Sequence, residues 1–188
     1  MAFKVFYAWQ DDRPNNLCRG FIRRALDQAK DKLNEELEIQ NAEREVEIDQ
    51  DTQSVSGSPS IADVILEKIR DCDAFVADLR FIPAGEGVEP APNPNVMLEY
   101  GYALHALGDR RLIGVFNGAF GAPENLPFDL RHKRWPIRYQ ADDVGQSERA
   151  KAQRRATREE LAKELAKAIR DIIRTFAQAE EPALDAAP

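Results

Sequence analysis

The feature that most constrains this chain is a regular alternation of short apolar runs with longer amphipathic stretches. The short runs have the length and the β-branched and aromatic content of buried strands, and they lie at residues 4–9, 46–49, 74–79, 111–116 and 135–139. The longer stretches carry apolar residues at helical spacing, at residues 17–37, 61–72, 96–107 and 161–176. Because the connections are long enough for crossovers, this alternation predicts an α/β fold built on a parallel sheet.

The predicted fold class is therefore α/β, as a single flavodoxin-like, doubly wound domain with a five-stranded parallel sheet. No repeat or linker divides the 188 residues. We expect residues 1–140 to form the α/β domain, residues 141–177 to contribute a C-terminal helix that packs on the same domain, and residues 178–188 to be a flexible tail. Pro136 favours an edge position for the fifth strand, since proline cannot donate a ladder hydrogen bond.

Capping residues indicate where the helices begin and end. Ser58 or Ser60 can cap the second helix. Asn93 and the proline after it open the third helix, and Gly108 closes it. Thr157 begins the sequence Thr-Arg-Glu-Glu, a capping box that predicts the start of the last helix.

Charge and composition exclude several classes of function. The formal net charge is −7, so we expect neither duplex DNA nor an anionic membrane as a partner. No run of 18 apolar residues occurs and the first residues lack a signal-peptide core, which predicts a cytoplasmic protein. The two cysteines and two histidines lack the spacing of metal ligands, so we expect no metal site.

Polar and aromatic side chains follow two of the predicted strands at the end where such sheets bind ligands. In doubly wound sheets, the ligand crevice lies beyond the carboxyl ends of the strands, where the strand order reverses. Tyr7 and Trp9 lie at the end of the first strand, Asp78 lies at the end of the third, and Phe81 follows it. These four residues and Asn95, which lies near the start of the next helix, are the five candidate substrate-binding residues.

Glu99 is the candidate catalytic residue. Asn95 and Glu99 are four positions apart on the predicted third helix, so their side chains share one face. We expect the positive end of the helix dipole to help keep Glu99 ionised. The alternative interpretation is an exposed helix glutamate in ordinary contact with solvent. Similarly, Asp78 could cap a nearby turn, and Trp9 and Phe81 could belong to the core.

Residues 49–79 resemble the central stretch of bacterial TIR-like (Toll/interleukin-1 receptor-like) domains. In those domains an acidic residue and a glycine-bearing BB loop precede an isoleucine-rich helix, which is followed by aspartate and an apolar strand. The matching segments here are residues 51–57, 61–69 and 71–79. The opening residues 5–12 are similar to those of a subgroup of bacterial TIR-like domains. The segment Leu126-Pro-Phe-Asp-Leu-Arg131 is similar to the corresponding segment of that subgroup. Together these segments extend the resemblance over roughly residues 3–140.

A second resemblance concerns the predicted third helix. Its sequence Asn93-Pro-Asn-Val-Met-Leu-Glu-Tyr-Gly-Tyr-Ala103 is similar to the active-site helix of nucleoside 2-deoxyribosyltransferases, where Asn-x-x-x-Glu carries the nucleophile. In TIR domains that cleave NAD, the catalytic glutamate sits on the equivalent helix. Both resemblances therefore imply that Glu99 is catalytic, and that Asn95 could hold a ribose hydroxyl while Tyr7, Trp9 or Phe81 stacks on a base.

The TIR-like resemblance implies an NAD⁺ nucleosidase that cleaves the nicotinamide–ribose N-glycosidic bond, with a role in bacterial antiphage defence. NAD would be the substrate, and no cofactor is expected. A carboxylate beneath C1′ can stabilise or attack the ribosyl cation. Nicotinamide leaves from a cationic ring and needs little protonation, which suits a chain with two histidines. The resemblance also implies self-association and allows a separately encoded activating partner.

Two other functions stay open. One is an N-glycosidase or transferase of the nucleoside 2-deoxyribosyltransferase kind, which would release a free nucleobase. The other is a non-catalytic TIR-like module that binds a nucleotide or assembles with partners, since the fold alone does not establish an activity.

Overall fold

A computed structural model describes residues 2–39, 45–50, 60–83, 85, 87–131, 136–143, 145 and 147–180. Its centre is a five-stranded sheet in which every neighbouring pair of strands is parallel. The strands are β1 (Ala2–Ala8), β2 (Glu45–Asp49), β3 (Ala74–Asp78), β4 (Leu112–Asn117) and β5 (Ile137–Tyr139). Their order is β2-β1-β3-β4-β5, which is the flavodoxin-like order, so the predicted fold class is confirmed.

Helices cover both faces of the sheet. They are α1 (Arg19–Ile39), α2 (Ile61–Arg70), α3 (Pro94–Leu107), α4 (Phe128–Arg131) and α5 (Glu148–Glu180). Alternate residues of β1 show how the faces divide. Val5 and Tyr7 pack into the apolar layer formed with α1 and α5, whereas Phe6 and Ala8 pack into the layer formed with α2 and α3. The sheet is therefore buried on both sides, as its continuous apolar strands predict.

The observed caps and edges agree with most of the predicted boundaries. The Oγ of Ser60 accepts from the backbone N–H of Asp63 at 3.5 Å, so Ser60 is the cap of α2. The Oδ1 of Asn93 accepts from the N–H of Asn95 at 2.9 Å, and Gly108 ends α3 with a φ of 76°. As predicted, the strand that follows Pro136 lies at an edge of the sheet.

The last helix begins earlier than predicted. The capping box at Thr157 lies inside α5, which starts at Glu148. The actual cap is Ser147, whose Oγ accepts from the N–H of Ala150 at 3.2 Å. Because the residues between carry no helix breaker, the helix runs straight through the second capping sequence. The helix also continues to Glu180, three residues into the segment expected as a tail.

Several sequence predictions fall on residues outside the described ranges. They include the BB-like loop at residues 51–57, the alternative cap at Ser58, Trp135 in the predicted fifth strand, and residues 181–188 of the expected tail. Among the helices that the structure describes, none combines the length and the apolar character needed to cross a membrane.

Candidate functional site

A cleft of about 280 Å³ opens at the carboxyl edge of the sheet, between the end of β1 and the first two turns of α3. It lies beside the boundary of β1 and β3. The connection after β1 crosses one face of the sheet, and the connection after β3 crosses the other face. The position between these two strands is therefore the topological switch point, where doubly wound folds bind ligands. The cleft is lined by Phe6, Tyr7, Ala8, Trp9, Gln10, Asp11, Ile65, Asn93, Asn95 and Glu99.

The wall formed by α3 carries the predicted pair. Asn95 is exposed and Glu99 is partly buried, and both line the cleft because they lie one turn apart on the same face of α3. Val96 and Tyr100, on the neighbouring face, are buried against the sheet and hold the helix in place. Asn93 also lines the cleft.

The environment of Glu99 differs from the expected one. Burial raises the pKa of the Glu99 carboxyl to about 7. The cost of burial therefore outweighs the help expected from the helix dipole. Glu99 lies in the second turn of α3, and the field of a helix terminus acts mainly within the first. Loss of hydration dominates, so the cleft holds a carboxyl group that is close to half-ionised at neutral pH.

Glu99→Gln is expected to stabilise the fold at pH 8 and to have little effect at pH 4. At pH 4 the carboxyl is largely protonated in both the folded and the unfolded chain. As the pH rises to about 7, the unfolded chain releases this proton while the folded chain retains it, so the wild-type protein loses stability relative to the variant. Allowing for partial exposure to water, we expect a gain of about 1–2 kcal/mol and a Tm higher by about 2–8 °C. Thermal unfolding at the two pH values measures this difference, and an equal gain at both would contradict it.

The wall formed by the end of β1 carries Trp9 and Gln10. The guanidinium carbon of Arg19, in the first turn of α1, lies 3.2 Å from the centre of the Trp9 ring. Trp9 packs partly against the apolar layer beneath α1 and also lines the cleft. Gln10 is almost completely buried and is fixed by hydrogen bonds to the end of β3. The lining on this side thus includes Trp9, Gln10 and the exposed Asp11, and the lining on the α3 side includes Asn93, Asn95 and Glu99.

Asp78 lies below the cleft rather than in its wall. It is fully buried, and its Oδ2 accepts from the Nε of Arg80 at 3.0 Å. Arg80 is also fully buried, and it donates to Asp12 at 3.2 Å and to the carbonyl of Gln10 at 3.1 Å. Burial raises the pKa of Asp78 to about 6 although the Arg80 guanidinium lowers it. These contacts bind the segment after β1 to the end of β3, and thereby shape one wall of the cleft.

The side chains of Tyr7 and Phe81 are also parts of the core. Tyr7 is fully buried on the α1 and α5 side of the sheet, and its hydroxyl donates to the carbonyl of Arg19 at 3.5 Å. The buried Phe81 ring packs edge-on against Phe116, with 5.2 Å between the ring centres. The structure therefore brings together Trp9, Asn95 and Glu99. Asp78 and Phe81 do not line the cleft. Tyr7 lines it, but its side chain is buried in the core.

A larger cavity of about 670 Å³ lies at another part of the molecule. Its lining comes from the middle of α3 and the turn after it, from β4 and from α5, and includes Tyr100, Gly114 and Ile172. None of the predicted site residues borders it, so its size does not make it the better candidate for the predicted chemistry.

The other potentially reactive residues have ordinary roles. Cys18 and Cys72 are buried, and burial raises the pKa of each thiol to about 12, which disfavours the thiolate needed for nucleophilic attack. In the described part of the chain, no group of three His, Cys, Asp or Glu side chains is placed to hold a metal ion.

Six of the residues that line the cleft are not among the predicted site residues: Phe6, Ala8, Gln10, Asp11, Ile65 and Asn93. Asn93 was interpreted only as a helix cap, although it also borders the cleft. Gln10 has no distinguishing signal in the sequence, because its side chain is fixed by contacts with residues about 70 positions away. A polar residue directly after an apolar strand at a switch point is the one sequence feature that could have drawn attention to it.

Comparison with known proteins places this chain in no family. No protein-family model matches it, and no curated protein matches it. Among solved structures, it is similar to the flavodoxin-like domain of a protein from Synechococcus sp. This match has 13% sequence identity, covers 87% of this chain and 99% of that one, and has a TM-score of 0.37. These comparisons therefore supply no activity for this chain.

Proposed function

We propose that this protein is a TIR-like NAD⁺ nucleosidase that cleaves the bond between nicotinamide and ribose. The observation that carries the proposal is the position of Glu99, a partly buried carboxyl group in the wall of a cleft at the switch point of the sheet. Perturbed carboxyl groups in such clefts are typical of catalytic acids, bases and nucleophiles. The sequence resemblances described above supply the reaction class.

The chemistry fits a site whose lining residues include the partly buried carboxyl group of Glu99, the exposed carboxyl group of Asp11 and no histidine. The C1′–N bond breaks and its electron pair passes to the pyridinium nitrogen, so that nicotinamide leaves as a neutral molecule without a general acid. The positive charge that remains is shared between C1′ and the ring oxygen. Ionised Glu99 stabilises this charge, and it accepts a proton when water adds to C1′.

The raised pKa of Glu99 favours a cationic substrate. A carboxylate that has lost hydration gains more from a nearby positive charge than one in water does, because the charge interacts through a less polar medium. The pyridinium ring of NAD⁺ supplies such a charge in the ground state, and the ribosyl cation supplies it in the transition state. Trp9 lines the same cleft, and Asn95 offers an amide to the ribose hydroxyls.

The size of the cleft limits how much of the substrate it holds. A volume of about 280 Å³ is near the lower end of ligand pockets. It suits the nicotinamide riboside end of NAD, and the adenylate end would extend beyond it. We therefore propose that a second copy of this chain or a separately encoded partner completes the site, in line with the self-association that the resemblance implies.

We expect kcat/KM for NAD to increase with pH and to level off above about pH 7, where Glu99 of the free enzyme is ionised. Between pH 6 and pH 8 the increase should be about tenfold, because a single group with this pKa changes its ionised fraction by about that factor. The measurement is the initial rate of nicotinamide release under conditions that are first order in substrate. A rate independent of pH over this range would contradict the assignment of Glu99.

The experiment that tests the proposed function is a product analysis with concentrated protein. NAD, NADP and several deoxynucleosides are incubated separately, and the products are identified by mass. Release of nicotinamide supports the proposal. Release of a free base from deoxynucleosides alone would overturn it in favour of a deoxyribosyltransferase-like enzyme. No product from assembled protein would overturn it in favour of a binding module.

A further inference from the structure

The first halves of α1 and α5 carry a concentration of positive charge. Residues 19–26 contain three basic side chains and residues 149–158 contain five, and neither segment contains an acidic one, although the formal net charge of the chain is −7. Both helices follow strands of the parallel sheet, so both begin at its carboxyl edge, and they pack against each other on one face. Cations near the start of a helix also oppose the direction of its dipole.

Two contacts show how α5 lies along α1. The guanidinium carbon of Arg158 lies 6.0 Å from the centre of the Phe21 ring. Further along both helices, Arg170 pairs with Glu36 across the same interface, with 2.7 Å between Nη2 and Oε2. The two helices therefore run in the same direction, and the stretch of α5 around Arg158 lies beside the first turn of α1.

Three arginines, which we call the arginine cluster, surround this stretch of the interface. Arg24 lies one turn after Phe21 on α1, and Arg155 lies one turn before Arg158 on α5, so each shares the helix face that makes the contact. Burial lowers the pKa of Arg158, and the charges of Arg24 and Arg155 lower it further, although Glu159 acts in the opposite direction. The three guanidinium groups are thus close enough to repel one another.

The protein supplies the arginine cluster with little negative charge. Within the part of the chain that the structure describes, neither Arg24 nor Arg158 has a hydrogen-bond or ion-pair partner. Arg155 donates to Glu159 at 3.0 Å, and this is the carboxylate nearest to the cluster in sequence. At the other end of the same interface, Arg170 is fully paired with Glu36. Like charges held together without an anion between them destabilise a fold, so this end of the interface favours a bound anion.

A ligand can reach the arginine cluster from solvent. Arg24 and Arg155 are exposed, and Arg158 is partly exposed. In the Arg158 guanidinium only Nε is covered by protein atoms, so the two terminal nitrogens keep contact with solvent. The Phe21 ring beneath it is itself stacked on Tyr139, with 5.1 Å between the ring centres. This support limits the conformational freedom that Arg158 would lose on binding a ligand.

We propose that the arginine cluster is a binding site for the diphosphate group of a small ligand, separate from the cleft that contains Glu99. Planar guanidinium groups match phosphate oxygens with pairs of parallel hydrogen bonds. Three guanidinium groups offset by one shared glutamate suit a compact anion of two or three negative charges. None of the three arginines lines the cleft, so the inference goes beyond the proposed function and does not rest on it.

The test is a calorimetric titration of sodium pyrophosphate into the protein at low ionic strength, with sodium chloride of equal ionic strength as the blank. We expect one site per chain. Arg158→Gln should weaken binding about 10- to 100-fold, the range for a hydrogen bond to a charged group. Arg24→Gln should weaken it about two- to fivefold, because an exposed ion pair contributes less. Absence of pyrophosphate binding by the wild-type protein would overturn the inference.

Arg174→Gln is the matched control, since Arg174 is an exposed arginine on the same helix outside the arginine cluster. It should keep the wild-type affinity, and a loss equal to that of Arg24→Gln would show diffuse attraction by surface charge and overturn the inference. If Arg158→Gln does not fold, Arg24→Gln decides the question, because its exposed side chain is not part of the core.

A second ligand separates a compact site from an extended one. A short single-stranded oligothymidylate is titrated under the same conditions. Binding of the oligonucleotide without binding of pyrophosphate would overturn the diphosphate site in favour of a surface for a phosphate backbone. Because pyrophosphate binding is measured without NAD, a negative result here leaves the proposed nicotinamide release unaffected, and failure of that reaction leaves this site unaffected.

Discussion

Glu99→Gln is expected to reduce the rate of NAD cleavage about 10²–10³-fold while substrate binding persists. Glutamine has nearly the same shape as glutamate and removes only the charge. If this charge contributes roughly 3–4 kcal/mol to the transition state, the rate falls by that factor. The measurement is kcat from nicotinamide release at pH 8, where the wild-type carboxyl is ionised, together with the affinity for NAD.

Three further variants make this experiment specific. Glu99→Asp keeps the charge but withdraws it by one methylene, so its rate should fall between those of the wild type and Glu99→Gln. Asn95→Ala should affect substrate positioning and reduce the rate less. Glu35→Gln, on the exposed surface of α1, is the matched control and should behave as the wild type does. A folded and assembled Glu99→Gln protein that cleaves NAD at the wild-type rate would eliminate Glu99 as the catalytic residue.

Arg80→Met is expected to cause a large loss of stability, of about 3–5 kcal/mol in the free energy of unfolding. The substitution removes a fully buried cation and leaves the buried carboxylate of Asp78 without its partner. For a chain of this length, such a loss corresponds to a Tm lower by about 6–20 °C. Thermal or denaturant unfolding at pH 8 measures it.

The pH dependence and a double variant test the cause of this loss. Without the guanidinium, burial raises the pKa of Asp78 further, so near pH 5 the carboxyl binds a proton and the uncompensated charge disappears. The deficit should therefore be smaller at pH 5 than at pH 8. Asp78→Asn combined with Arg80→Met should recover part of the stability. Arg70→Met removes an exposed arginine that pairs with Asp71 and should leave Tm unchanged. A deficit that is equal at both pH values would show lost packing rather than an unpaired charge.

The local sequence was sufficient for the architecture. The apolar runs and the helical spacing determined the five strands and the main helices. Each element must bury one or both of its faces, and its apolar residues therefore recur with the period of a strand or of a helix. Asn93 and Gly108 set the ends of α3 through hydrogen bonds and a backbone angle that involve only near neighbours. The same local logic misplaced the start of α5, since Thr157 and Ser147 both carry a capping signal and only the latter ends the preceding loop.

The spacing of Asn95 and Glu99 also determined, from the sequence alone, that both lie on one face of a helix after the third strand. Whether that face borders a cleft depended on the strand order, which places the end of β1 opposite α3. The protonation of Glu99 likewise depended on the surrounding protein, because desolvation is set by every atom that excludes water and not by position along one helix.

The roles of the polar residues at the strand ends were decided by the tertiary structure. In the sequence, Asp78 and Gln10 are equivalent, since each follows an apolar run and could face a ligand or the core. The folded chain brings Arg80 to Asp78 and Asp12, and so satisfies the buried carboxylate, whereas it leaves the amide oxygen of Gln10 without a donor beside the cleft. The periodicity of a sequence records which side of an element is buried. Asp78 meets Arg80 two residues further along the chain, but Asp12 and Gln10 reach the same cluster from 68 to 70 positions away, and only the three-dimensional fold determines those contacts.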